Sequence, residues 1–215
     1  MRTEPTNTLG ELLEQSVRQY PDRVLVHHKG RDWSYEEIWS RALSVAGWLR
    51  ARGLQPGERI GMLVPNSPEY VTCYFGVLLA GGVAVALNPD TTARELVHTL
   101  AHCRPAGVVV APVCEKHLAR AAADLECVRL VVRLAEGRED GLPLGQCTVS
   151  FSEAVNHHAF DGVIERGDDS QIAQIIYTSG TTGRPKGVTL SHRNLLANTR
   201  SIVEYLELTC SDSVF

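Results

Sequence analysis

The chain has 215 residues, of which 44% are hydrophobic and 21% charged, with a formal net charge of −4 and an isoelectric point near 6.1. That is ordinary globular usage on a length that suffices for one good-sized domain, and it supplies no basic footprint for nucleic acid or an acidic membrane surface. No run of about 18 uncharged apolar residues appears. The opening Met1-Arg2-Thr3-Glu4-Pro5 lacks the apolar core of a secretory signal, and six cysteines without a C-x-x-C pair read as the reduced thiols of a cytoplasmic protein.

Helix and strand signals alternate along the chain. Thr8-x-x-Glu11 has the capping-box pattern ahead of Leu9, Leu12, Leu13 and Val17, and the helix it opens should stop near Tyr20-Pro21, because the residue before a proline avoids helical angles. Val24 to His28 reads as a strand, turned by Lys29-Gly30 into a short partner around Asp32-Trp33. Ser34-x-x-Glu37 is a second capping box, followed at helical spacing by Ile38, Ala42, Val45, Trp48 and Leu49 until Gly53. Arg59 to Val64 is a short buried strand. Ser67-Pro68 then opens a helix with proline at its first position, running to Ala80 and Gly81-Gly82. Val83 to Leu87 is a strand, Thr92-x-x-Glu95 caps a helix to about Cys103, and Val108 to Val110 is another strand. The stretch from about 135 to 169 is less periodic and reads as a loosely structured connection with one short helix near Phe151 to Val155. Order returns with a strand at Ile172 to Tyr177, a loop from Thr178 to Gly187, a short strand at Val188 to Leu190 and a final helix from about Arg193 to Glu207. The alternation predicts an α/β fold: a mostly parallel sheet flanked by helices.

The segment richest in chemistry is Thr178-Ser179-Gly180-Thr181-Thr182-Gly183-Arg184-Pro185-Lys186-Gly187. Its glycines permit close backbone approach to a ligand, its N–H groups and four hydroxyls can surround phosphate oxygens, and Lys186 adds a positive charge for the same anion. Neither G-x-x-x-x-G-K-[ST] nor G-x-G-x-x-G fits it, so it is neither the common phosphate loop of nucleotide triphosphatases nor a dinucleotide fingerprint.

At these residues the chain resembles the adenylate-forming, AMP-binding superfamily of acyl-CoA synthetases, peptide-synthetase adenylation domains and luciferases. That family's loop reads roughly [ST]-[SG]-G-[ST]-[ST]-G-x-P-K-G, and Thr178 to Gly187 matches it throughout. Flanking segments are similar in the same order: Trp33-Ser34-Tyr35-Glu36-Glu37, Gly57-Glu58-Arg59-Ile60-Gly61, Asn66-Ser67-Pro68-Glu69-Tyr70, Ala80 to Pro89, and Ser191-His192-Arg193-Asn194.

The resemblance implies ATP-dependent activation of a carboxylic acid as an acyl-adenylate, followed by thioester formation with coenzyme A or the phosphopantetheine thiol of a carrier protein. In the first step the carboxylate attacks the α-phosphorus and charge builds on the departing β,γ-phosphates, which suits a loop of preorganised donors. By the same resemblance Thr178, Ser179, Gly180, Thr181, Thr182, Gly183 and Lys186 hold those phosphates, with Lys186 as the catalytic residue that orients the leaving pyrophosphate; Arg184 occupies a variable position and receives no role. Residues 1–215 are then expected to be the first part of the large N-terminal domain of such an enzyme, with the C-terminal portion and lid domain absent and the main protein ligand of Mg²⁺ lying beyond residue 215. Such a chain alone is expected to be an inactive fragment that self-associates through its exposed truncated face; the alternative is a non-catalytic nucleotide-binding or regulatory module. A fatty or other simple organic acid is the favoured substrate class.

The remaining candidates have plainer readings. His98 and His102 are four apart on a predicted helix, but no third ligand accompanies them, so they read as ordinary helix surface rather than a metal pair. His27 and His28 point to opposite sides of a strand. His157-His158 falls in the irregular connection and reads as solvated. His192 packs beneath the loop or caps the final helix, while Arg193 and Arg200 read as a solvated face. Cys73 reads as a small core residue, and Trp33, Trp39 and Trp48 as packing residues.

Overall fold

The computed structural model describes residues 6–121, 127–135, 147–157, 167–178 and 186–213. An N-terminal helix α1 (Leu9–Gln19) is followed by a separate hairpin, β1 (Val24–His28) and β2 (Arg31–Ser34). Then come α2 (Tyr35–Ala51), β3 (Arg59–Leu63), α3 (Pro68–Leu79), β4 (Val83–Ala86), α4 (Ala93–Cys103) and β5 (Gly107–Val110). A short 3₁₀ turn leads into α5 (Glu115–Ala121), and the chain continues through β6 (Leu130–Arg133), β7 (Cys147–Ser150), α6 (Phe151–Val155), β8 (Ile172–Thr178), β9 (Lys186–Ser191) and α7 (His192–Tyr205). Seven strands form one sheet in the order β7-β6-β5-β3-β4-β8-β9. Every pairing is parallel except β8 with β9, which is antiparallel.

Strand alternation sorts the interior into two layers. Ile60, Met62, Val109, Leu130 and Val132 face α2, α3 and α6, whereas Leu63, Val85, Val108, Val110 and Val131 face α4 and α5. The tightest seam joins α2 to α3. A methyl group on Gly76 would stand 2.7 Å from Cγ1 of Val45 and 3.1 Å from the Ala42 carbonyl, so only glycine lets the two helices lie this close.

The helix starts follow the expected chemistry. Ser34 accepts from the Glu37 amide and the Glu37 carboxylate accepts from the Ser34 amide; Thr92 and Glu95 do the same, and Ser67 caps α3 with Pro68 in its first turn. At α1 the box is half made: Thr8 accepts from the Glu11 amide, but the Glu11 carboxylate takes the Asn7 amide at 2.7 Å instead of that of Thr8.

The irregular connection expected at about 135–169 contains a strand that the sequence reading lacks. Cys147–Ser150 adds to the sheet edge beside β6, α6 matches the short helix expected there, and residues 136–146 and 158–166, His158 included, lie outside the described residues. β6 and α5 were likewise not anticipated. β6 is buried at all four positions, so it shows no alternation. Its terminal Arg133 is buried against Glu115 at the start of α5, with Nε to Oε1 and Nη2 to Oε2 both 2.9 Å. No helix among the described residues is long and apolar enough to cross a membrane.

Candidate functional site

Helix α3 follows β3 on one face of the sheet and α4 follows β4 on the other. The carboxyl ends of these adjacent strands therefore open a crevice of the kind in which open α/β sheets bind ligands. β8 lies next to β4 and parallel to it, so its carboxyl end emerges at the same end of the sheet. There Thr178 closes β8, Lys186 opens β9, and the two are cross-strand partners. Both are exposed. The sequence candidates Ser179, Gly180, Thr181, Thr182 and Gly183 lie outside the described residues, within the loop 179–185 that this pair flanks. The structure thus places the two residues that bound the loop in register, one on each strand of the β8–β9 pair.

The pair behind them explains the last glycine of the motif. Tyr177 and Gly187 are partners, and a methyl at Gly187 would stand 3.2 Å from Cζ of Tyr177 and 3.1 Å from Cγ2 of Ile175. The Tyr177 ring thus lies against bare backbone. Its hydroxyl is 2.6 Å from Nδ1 of His102 on α4, with the rings edge to face at 5.8 Å. Burial pushes the Tyr177 phenol up to about 12 and the neighbouring Cys103 thiol also to about 12, so both are protonated at neutral pH. His102 is therefore more than ordinary helix surface: it is exposed, yet one ring nitrogen is committed to the residue that precedes the loop.

Beyond β9 the Ser191-His192-Arg193-Asn194 segment is a capping device. Ser191 accepts from the Asn194 amide, and the Asn194 side chain accepts from the Ser191 amide at 3.0 Å. His192 lies far along β9 from Lys186. It is buried at the opposite end of β9, where its Nδ1 accepts the Leu9 amide at 3.2 Å and so ties α7 to α1. Burial lowers its basicity. Arg193, read from sequence as solvated, grips Asp169 through Nε at 3.0 Å and Nη2 at 2.6 Å; the guanidinium holds the Asp169 carboxyl below the usual range. His27 pairs with Asp32 across the β1–β2 hairpin.

A cavity of about 260 Å³ is lined by Thr8, Gly57, Gly82, Val83, Ile172 and His192 among others. Val83 and Ile172 begin β4 and β8, so this cavity opens at the amino ends of the strands, away from the loop. Among the described residues no group of three His, Cys, Asp or Glu side chains gathers to hold a metal ion.

A family model described as AMP-binding enzyme matches residues 13–215, and the chain belongs to that family. It is 29% identical to the long-chain-fatty-acid–CoA ligase of Bacillus subtilis (strain 168), over 94% of this chain and 40% of that protein. It is 34% identical to gramicidin S synthase 2 of Aneurinibacillus migulanus, over 88% of this chain and 4% of that protein. Among solved structures, ATP-bound MatB from Rhodopseudomonas palustris superposes with a TM-score of 0.78 at 32% identity, covering 95% of this chain and 39% of that one. The chain thus spans about two fifths of the fatty-acid ligase it matches. Its fold is the first part of the large domain of adenylate-forming enzymes.

Proposed function

We propose that this chain carries the ATP-binding loop of a carboxylate-activating, AMP-forming acid–thiol ligase. The observation that supports it most is the cross-strand pairing of Thr178 with Lys186 at the carboxyl end of the sheet, flanking a Ser/Thr/Gly-rich loop. In this reading the loop donors of Thr178, Ser179, Gly180, Thr181, Thr182 and Gly183 surround the β,γ-phosphates of ATP. The Lys186 ammonium neutralises charge on the leaving pyrophosphate as the substrate carboxylate attacks the α-phosphorus and the bond to the bridging oxygen breaks. An exposed lysine in register with an exposed threonine, in a sequence rich in further N–H and O–H donors, suits an oligophosphate carrying its own Mg²⁺. The acceptor of the acyl group is coenzyme A or a carrier-protein thiol, and the substrate is a fatty or other simple organic acid. Residues 1–215 form the N-terminal part of the AMP-binding domain. The remaining catalytic parts are those the relatives carry outside the matched stretch, and this chain by itself binds Mg·ATP weakly without turnover.

Calorimetric titration with Mg·ATP tests the loop, and carboxylate-dependent ATP–pyrophosphate exchange tests turnover. Binding by the wild-type chain that is lost in Lys186→Ala is expected. Equal binding by both removes Lys186 from the site, and exchange by the pure chain disproves its inactivity.

A further inference from the structure

Helix α4 is anchored at its carboxyl end. Leu96, Leu100 and Cys103 are buried against the sheet, in the cluster that also receives Ile175 and Tyr177. Arg104 ends the helix in a left-handed conformation, φ 44°, with its amide on the Leu100 carbonyl at 2.8 Å. Its own carbonyl accepts from the Arg59 guanidinium at 3.4 Å. From this fixed end His102 reaches Tyr177. Nδ1 of His102 and the Tyr177 hydroxyl stand 2.6 Å apart, and the imidazole tautomer decides which of them donates. The same phenol ring lies against Gly187. One side chain therefore joins α4 to both strands of the hairpin, one residue pair inside Thr178 and Lys186.

We propose that His102 is a positioning residue for the phosphate loop: by holding the Tyr177 phenol against Gly187 it sets where β8 and β9 part, and so where Thr178 and Lys186 meet the phosphates. This rests on the nucleotide reading given above. His102 touches no phosphate; it acts through Tyr177. A hydrogen bond of this kind corresponds to roughly a threefold to tenfold change in an equilibrium constant.

The test compares His102→Ala, His102→Asn, Tyr177→Phe and the double variant His102→Ala/Tyr177→Phe in the whole chain. Two quantities are read: amide hydrogen exchange at residues 176–178 and 186–188, and the Kd for Mg·ATP. His102→Ala and Tyr177→Phe should each speed exchange at the hairpin mouth and raise the Kd by roughly threefold to tenfold. Exchange in β5 and β6 should stay unchanged, and His102→Asn, whose amide offers both a donor and an acceptor near the Nδ1 position, should recover most of both effects. The double variant should be no worse than Tyr177→Phe alone, since that change already breaks the bond His102 makes. Unchanged exchange in both singles, or effects that add in the double, overturns the proposal. So does faster exchange with an unaltered Kd in a chain whose affinity does depend on Lys186. If the wild-type chain and Lys186→Ala bind ATP equally poorly, the nucleotide reading falls, and His102 is then no positioning residue for phosphates whatever the exchange rates show.

Discussion

Removing the Glu115 carboxylate would leave the Arg133 guanidinium buried without it. Both side chains are nearly sealed, at 5% and 11% exposure, and they meet in a two-point contact with both distances 2.9 Å. Glu115 also stands at the first position of α5, where the helix dipole favours a negative charge. Breaking such a pair by deleting one partner costs about 3 kcal/mol, because the remaining charge keeps its desolvation penalty. For a chain of this size each kcal/mol lowers Tm by about 2–4 °C, so Glu115→Ala should melt about 6–12 °C below the wild type. Replacing both partners, Glu115→Leu with Arg133→Met, removes the penalty with the attraction and should stay within about 1 kcal/mol of the wild type. Thermal unfolding followed by circular dichroism measures all three. A Glu115→Ala shift under about 2 °C, or a double variant as unstable as the single, would refute the reasoning.

Two further outcomes follow from close packing and from titration. Gly76→Ala forces a methyl to 2.7 Å from Val45 at the α2–α3 seam and should cost about 1–3 kcal/mol, read as a lower urea midpoint with an unchanged slope. His192 has its folded-state pKa lowered by burial, so the unfolded chain binds the proton more readily; its contribution is complete above about pH 6.5 and fades as the pH falls toward the folded-state value. His192→Asn, which still offers an acceptor to the Leu9 amide, should therefore flatten the fall in Tm between about pH 7 and pH 5, and an unchanged acid slope would count against that role.

Most of the frame was readable because it is locally encoded. Ser34, Ser67 and Thr92 announce their helices through side chains that bond three residues on. The family-like segments around them mark these same caps and turns: Gly57 and Gly81 both hold positive φ, at 78° and 79°. What escaped is encoded at a distance. β6 is a four-residue buried run whose last member is an arginine, which Glu115 meets across the fold with a two-point contact. β7 is half-exposed Cys-Thr-Val-Ser, a strand only because β6 lies beside it. The loop was legible as a motif, but two long-range contacts at the two ends of the β8–β9 pair were not. His102 meets Tyr177 across 75 positions, and His192 meets Leu9 across 183.

The apolar surface of the chain is unevenly distributed. Of the ten large apolar side chains that stay exposed among the described residues, seven lie on β8, on β9, on α7 and at its cap: Ile172, Ile176, Val188, Ile202, Val203, Tyr205 and Leu206. Among the described residues β9 is also an edge strand, bonded to β8 alone. A free edge next to exposed aliphatic side chains is a template for another strand, and neither proline nor a cluster of charges blunts it; Lys186 is the one charged residue of β9. The isolated chain should therefore self-associate through this face, with sedimentation coefficients that rise with concentration. Val188 is 47% exposed, so Val188→Lys should leave the melting temperature nearly unchanged while shifting the population toward monomer, because a second charge on the edge opposes strand pairing. A wild-type chain that sediments as a monomer at all concentrations, or a Val188→Lys chain that associates as strongly as wild type, would show that β9 is not the surface through which copies meet.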